Sequence, residues 1–187
     1  MLTRKAKYGL RAILRLARDF GMGPVLIADL ALEESIPRKF LELILLEMRK
    51  QGLLESRKGK GGGYLLARPP AEISFGHVVR ILDGPLAPIP CVSVTAYQKC
   101  EECENETTCG IRIVMKEVRD ANARILDGTT LADVLRSVQR AEQNGKRTQN
   151  GKRTQNGKRT QTGKRTQTGK RTRTGKRTHA GKRKRTG

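Results

Sequence analysis

Four cysteines, Cys91, Cys100, Cys103 and Cys109, fall within nineteen residues, and the chain has no others. Successive cysteines are separated by eight, two and five residues. Thiols gathered in this way can hold a soft metal or exchange electrons. Four thiolates would satisfy a [2Fe–2S] or [4Fe–4S] cluster, or a tetrahedral zinc ion. Structural zinc ribbons use two Cys-x-x-Cys pairs, and only Cys100-Glu101-Glu102-Cys103 has that spacing, which weighs against zinc. A metal-free thiol switch is the third possibility. Glu101, Glu102, Glu104 and Glu106 crowd the same loop. Carboxylates raise the pKa of nearby thiols and suppress the thiolate that oxidation requires, whereas a bound cation reverses that penalty. The acidic setting therefore favours a bound metal; an iron–sulfur cluster is expected, with zinc or no cofactor as the alternatives.

The segment after the loop has to position it. Ile111, Val114, Val118, Ala121 and Ile125 are spaced three, four, three and four residues apart, the seam of a two-helix contact. With Lys116, Glu117, Arg119 and Asp120 expected on the outer face, the seam suits a second copy of the chain, and a homodimer is expected. Thr130 should cap a last helix from Leu131 to about Val138.

Ahead of the loop the periodicity is that of a small helical domain. Thr3 is a candidate N-cap for a helix ending near Gly21, with Tyr8, Leu10, Ala12, Ile13, Leu16 and Ala17 inward and Arg11, Arg15 and Arg18 outward. Residues 26–33 read as a short second helix. Ser35-Ile36-Pro37 reads as a turn with serine near the cap and proline at the first helical position. A third helix runs from Pro37 to about Gln51, with Phe40, Leu41, Ile44, Leu45 and Met48 inward and Gly52 closing it. Two helices joined by a tight turn match helix-turn-helix geometry. Arg38 and Lys39 then sit where bases and phosphates would be, and Glu42 could accept from a cytosine amino group. Residues 53–57 and 64–67 alternate as strands around the basic turn Lys58-Gly59-Lys60-Gly61-Gly62-Gly63, a β-hairpin wing. No Lys-Ser or Lys-Thr and no helix follows these glycines, so they are not a nucleotide phosphate loop. They would let Gly61 and Gly62 approach DNA closely while Arg57, Lys58 and Lys60 supply charge. Ser74 caps a fourth helix, Phe75 to about Leu82, ending at Asp83-Gly84-Pro85. His77 on that helix reads as a packed or surface residue.

The formal charge of +21 is concentrated at one end. Residues 145–187 hold 17 Lys and Arg and no acid, leaving 22 basic against 18 acidic residues in 1–144. From Gly145 a hexamer beginning Gly-Lys-Arg recurs at Gly151, Gly157, Gly163, Gly169, Gly175 and Gly181, with drift only near the end. It has essentially nothing apolar to bury and is expected to be disordered, able to contact nucleic acid without sequence preference or to be a tolerated repeat expansion. Apolar runs reach only four residues, so no membrane span is expected. The basic residues threaded through the N-terminus suit an amphipathic helix better than a secretory signal or transit peptide. A cytoplasmic, reducing setting is expected, where clustered thiols signify metal or redox sensing. With two histidines, one of them in the repeat, no nucleophile, base and orienting group can be assembled, so an enzyme is not expected. Six aromatic residues give no stacking platform for single-stranded RNA.

Three motifs together resemble the Rrf2 family of bacterial transcription regulators. They are Lys5-Ala6-Lys7-Tyr8-Gly9-Leu10-Arg11-Ala12, Ile36-Pro37-Arg38-Lys39-Phe40-Leu41-Glu42, and the wing Gly59-Lys60-Gly61-Gly62-Gly63-Tyr64-Leu65-Leu66-Ala67. A cysteine cluster followed by a long helix completes the likeness, which spans roughly residues 1–138 and omits the repeat. The resemblance implies a mainly α fold with a small β-hairpin wing, a winged helix-turn-helix joined to a long dimerisation helix. It implies contact with double-stranded operator DNA through Lys5, Lys7, Tyr8, Arg38, Lys39, Glu42, Arg57, Lys58, Lys60, Gly61 and Gly62. Many members hold an iron–sulfur cluster on three cysteines, the last pair about five residues apart, which here are Cys91, Cys103 and Cys109; others carry none. In the iron–sulfur assembly regulators of the family a histidine three residues beyond the last cysteine completes the set. Here that position is Arg112, which cannot ligate, so the fourth ligand is open: Cys100, a nearby carboxylate, or something small and external.

The chain thus divides into a winged helix-turn-helix domain (1–84), a cysteine-rich loop (85–109), dimerisation and C-terminal helices (110–144) and the basic repeat (145–187). Ligation of the loop is expected to alter the separation of two recognition helices, whose half-sites lie roughly 34 Å apart.

Overall fold

Thr3 starts the first helix, α1 (Arg4–Arg18), by accepting the Ala6 N–H at 3.1 Å. Its own N–H donates to Asp83 Oδ2 at 2.9 Å, so the cap also ties the start of α1 to the far end of α4 (Phe75–Asp83). The helix stops at Arg18, earlier than Gly21, with Asp19 as its C-cap. The computed structural model describes residues 2–145; the hexamer repeat and the behaviour expected of it lie outside the described residues from 146 on.

Residues 2–141 make up one compact unit holding a single core. Leu10, Ile13 and Leu16 of α1 pack with Leu41, Ile44, Leu45 and Met48 of α3 (Arg38–Lys50) and Val78, Val79 and Leu82 of α4. Gly9 sits where these helices converge: a Cβ there would lie 2.4 Å from Leu82 Cδ1 and 3.2 Å from Ile44 Cγ2. Between α1 and α3 lies the short α2 (Ile27–Glu33), which buries only Leu30.

The turn between α2 and α3 is built differently from the sequence expectation. Pro37 is the N-cap of α3, not its first helical residue, and Ser35 makes no side-chain cap. Ser35 instead terminates α2 in the left-handed conformation (φ 51°), its N–H donating to Leu32 and that of Ile36 to Ala31. These are the paired bonds of a Schellman stop, followed by the buried Ile36. Gly52 closes α3 by the same device, with bonds from Gly52 to Arg49 and from Leu53 to Met48.

The wing is an antiparallel hairpin of β1 (Leu54–Arg57) and β2 (Gly63–Leu66), in register Leu54 to Leu66 and Arg57 to Gly63. A single residue of the α1–α2 connection, Val25, pairs with Tyr64 through two hydrogen bonds of 2.9 Å. This clip, absent from the sequence reading, holds the wing against the helical body. The approach is close: a Cβ on Gly63 would lie 2.2 Å from the Val25 carbonyl oxygen.

Ser74 caps α4 as expected, accepting the His77 N–H at 3.1 Å, and His77 is exposed. Beyond Gly84 the chain is irregular, with one 3₁₀ turn at Pro90–Val92, until α5 (Gly110–Asp127). The C-terminal end of α5 is fixed to α4. Arg80 donates to both carboxylate oxygens of Asp127, at 2.5 and 2.8 Å, and holds that carboxyl below its usual pKa. Backbone bonds from Phe75 to Thr129 and from Leu131 to Ile73 continue the join. Thr130 and Asp133 exchange capping bonds at the start of the last helix, α6, which begins at residue 131 and is helical through residue 145, well past Val138. Among the described residues no helix is long and apolar enough to cross a membrane.

Gly63→Ala is expected to break the Val25–Tyr64 clip, costing about 1–3 kcal/mol for two lost hydrogen bonds. Denaturant unfolding reads the cost, and amide exchange at Val25 and Tyr64 should accelerate. Unchanged exchange at both amides would mean the clip does not need glycine.

Candidate functional site

Seen along its axis, α3 divides sharply. Leu41, Ile44, Leu45 and Met48 are almost completely buried, while Arg38, Lys39 and Glu42 are exposed at the N-terminal end. Arg38 Nε lies 3.2 Å from Glu42 Oε1, an exposed i,i+4 pair. Such a pair contributes little to stability, roughly 0.3–0.5 kcal/mol, but holds two hydrogen-bonding groups side by side. At the other end Arg49 donates to Ser56 Oγ at 3.0 Å, fastening the helix to the wing.

The wing presents Arg57, Lys58, Lys60 and Gly61 to solvent. Gly62 is not on that surface. It is buried in the hairpin turn, its N–H bonded to Gly59, and a Cβ there would lie 2.3 Å from the Arg57 carbonyl oxygen. On α1, Lys7 is exposed, whereas Lys5 pairs with Glu47 of α3 at 2.7 Å and Tyr8 is half-buried, its ring edge-on to Phe40 at 5.8 Å. The structure thus gathers Arg38, Lys39 and Glu42 on one helix end and Arg57, Lys58 and Lys60 on the hairpin. Lys5 and Tyr8 brace α1 against α3.

The cysteines do not share one environment. Cys91 is buried, 7% exposed, in the 3₁₀ turn that packs on α5. Cys100, Cys103 and Cys109 line a cavity of about 380 Å³ together with Glu102, Glu104 and Asn105. The Cys103 and Cys109 thiols are neighbours and perturb each other. Cys109 is the N-cap of α5, and the N–H groups of Arg112 and Ile111 stabilise its thiolate, so its pKa falls below the ordinary cysteine value. Burial and the neighbouring Cys109 thiol push Cys103 the other way, with Glu106 the smallest contributor. The expectation that acidic neighbours suppress every thiolate therefore fails at Cys109, which stands at the N-terminus of a helix beside the N–H groups of its first turn.

As donors, four thiols suit an iron–sulfur cluster or zinc. Their placement does not close around one: among the described residues no three His, Cys, Asp or Glu side chains come together as a metal-holding group. Arg112, standing where a ligating histidine would be, lies 3.6 Å from Glu106, whose carboxylate also accepts the Tyr97 hydroxyl. Tyr97, Glu106 and Arg112 thereby latch the loop to the first turns of α5. The sequence reading missed this latch, since nothing in residue spacing marks three polar groups that meet only through the loop's path.

On α5, Lys116, Glu117 and Asp120 are exposed as expected, and one residue departs from the expectation. Arg119 is not on the outer face; its side chain is 15% exposed and turned inward, with Nε lacking a hydrogen-bond partner among the described residues. The apolar residues are what face outward: Ile111 is 69% exposed, Val114 53% and Ile125 65%, with Val118 also exposed and Ala121 half-buried. No residue of α5 is buried.

A family model described as Rrf2, an iron-dependent transcriptional regulator, matches residues 2–137. An rrf2-like HTH-type transcriptional regulator of Rhodobacter capsulatus is 42% identical over 138 residues, covering 72% of this chain and 92% of that protein. Among solved structures, CymR, described as the global cysteine regulator of B. subtilis, aligns with a TM-score of 0.60 at 30% identity, covering 72% of this chain and 95% of that one. IscR of T. potens aligns at 0.61 and 30% identity, covering 75% and 90%.

In reduced, metal-free protein, Cys109 should be alkylated first between pH 7 and 8 and Cys91 last, as read by peptide mass mapping of iodoacetamide-treated samples. Earliest labelling of Cys91 would contradict the burial and polarity described.

Proposed function

The chain belongs to the Rrf2 family of DNA-binding transcriptional regulators, and from that premise we propose that it reads an operator as a homodimer whose grip is set at the cysteine loop. Regulators of this family bind DNA and are generally dimeric. The observation that carries the DNA reading is the exposed polar end of α3 together with the exposed basic residues of the wing. Arg38 and Lys39 take bases and phosphates, Glu42 accepts a cytosine amino group, and Arg57, Lys58, Lys60 and Gly61 meet the backbone or minor groove. Lys7 adds a phosphate contact from α1. Lys5, Tyr8 and Gly62 serve the same surface from behind, through Glu47, Phe40 and the hairpin turn.

The homodimer rests on the outward seam Ile111, Val114, Val118, Ala121 and Ile125. With 18 residues, α5 spans about 27 Å. Its C-terminal end is held by Arg80 and its N-terminal end carries Cys109. A constraint applied at Cys91, Cys103 and Cys109 acts on the less firmly held end of the helix that joins two copies, and so on the spacing of the two α3 helices. Cys91, Cys103 and Cys109, with Cys100 as the candidate fourth ligand, would hold an iron–sulfur cluster, which when bound makes that constraint responsive to iron, nitric oxide and oxidants. The family's description as iron-dependent supports this occupant. The protein would work in the cytoplasm, with the basic repeat adding sequence-independent attraction to DNA.

A second reading is supported by the Cys103–Cys109 contact and the acidified Cys109 thiol. An oxidant removing two electrons and two protons from that pair would form a disulfide and constrain the loop without metal. Zinc in the loop is the remaining alternative.

Anaerobic purification with visible absorption and iron, sulfide and zinc analysis separates them. The expected result is a coloured protein that loses iron with Cys91→Ala, Cys103→Ala or Cys109→Ala and keeps it with Cys100→Ala. Removing the iron should change duplex affinity by about 5–150-fold. Selective duplex binding should survive truncation at Asn144, whereas its complete loss would favour a repeat-driven polycation. A colourless protein whose affinity responds to oxidant supports the thiol pair. A colourless, metal-free protein indifferent to oxidant removes the sensing part.

A further inference from the structure

On the outward arc of α3, among charged groups, stands one strongly exposed aliphatic side chain. Leu43 is 65% exposed, whereas Leu41, Ile44, Leu45 and Met48 of the same helix are between 0% and 1% exposed. At about 100° per residue, Arg38, Lys39, Glu42, Leu43, Arg49 and Lys50 share one arc of roughly 140° with Leu46, which is half-buried. The core is complete without Leu43, so packing within the chain does not account for it. A single exposed leucine is ordinary on a protein surface. This one adjoins Glu42 and lies one turn beyond Lys39, on the face whose cations suit the phosphates lining a groove.

We propose that Leu43 is a specificity-determining residue that reads the 5-methyl group of a thymine in the operator's major groove. The inference rests on the DNA reading given above and extends it to one base pair. The chemistry is selective. In the major groove a thymine differs from the other bases by its C5 methyl, which no hydrogen-bonding side chain can recognise and which an aliphatic one can cover. Leu43 follows Glu42 by about 1.5 Å along the helix axis, close to the pair from which Glu42 accepts a cytosine amino hydrogen. Acid and aliphatic neighbours together then specify adjacent pairs, one by a donor and one by a methyl. Lys39 and Arg38 supply the attraction that brings the carboxylate and the uncharged leucine into a polyanionic groove.

The test uses the full chain. A preferred duplex is selected from a random pool in the presence of competitor DNA. Each thymine is then replaced singly by deoxyuridine, which keeps pairing and removes only the methyl. At one thymine per half-site the replacement should weaken wild-type binding about four-fold, the effect of uncovering one methyl-sized group. Leu43→Ala should bind the two duplexes equally. Because the side chain is exposed and alanine favours helix, this variant should fold, and circular dichroism checks that it does. Equal losses in wild type and Leu43→Ala, or no sensitive thymine at all, would overturn the assignment while leaving duplex selectivity intact. Absence of any duplex selectivity in the wild type would overturn the DNA reading together with it.

Discussion

The bidentate contact between Arg80 and Asp127 fixes where everything beyond the helix-turn-helix can go. It joins the end of α5 to α4, and Gly76 makes room for it: a Cβ there would lie 2.2 Å from Asp127 Oδ1. α4 is itself joined to the start of α1 through Asp83 and Thr3, and its Leu82 fills the space left by Gly9. The orientation of α5 is therefore inherited from the same core that orients α3. With that end held, the helix presents its apolar seam outward and turns Arg112 and Arg119 inward. A helix whose apolar face points away from its own domain leaves substantial hydrophobic area in water until a second surface covers it.

The cysteine loop lies at the opposite end of α5, and its arrangement divides the four thiols by task. Cys109 belongs to the helix, Cys91 is buried where the 3₁₀ turn packs on α5, and Cys103 and Cys100 sit on the intervening stretch. Chemistry that draws Cys91 toward the other thiols would move the loop relative to α5, against the Tyr97–Glu106–Arg112 latch. The latch is a small, partly exposed polar contact, easily traded for stronger bonds. The matched descriptions include an iron-dependent regulator and a global cysteine regulator.

Much of the DNA-reading half was legible in the residues because its signals are local. Thr3 and Ser74 cap the helices they precede, Gly52 stops α3, and the 3.6-residue period of α1 and α3 marks their buried faces. The turn before α3 was read with Pro37 one position too deep, because a proline at a helix start can be either the cap or the first residue, and the choice depended on Ser35 adopting positive φ. Val25 could not be seen as a strand, since one paired residue has no alternation to detect. The seam of α5 was readable both as a repeat and as an outward face, but the inward turn of Arg119 was not. Whether Arg119 faces in or out depends on the fixed end of the helix, a contact 47 residues apart in sequence. The four cysteines were an evident cluster along the chain. Their separation in space, with Cys91 apart from Cys103 and Cys109, follows from packing that spacing does not encode.

The central claim is that the exposed seam of α5 is covered by a second copy, so that two α3 helices read DNA together. Sedimentation equilibrium of the full-length reduced protein tests it most directly. The account predicts a species of twice the 20.8 kDa chain mass at micromolar concentration, reduced to the monomer by Val118→Asp. A wild-type protein sedimenting as a monomer under those conditions would contradict it.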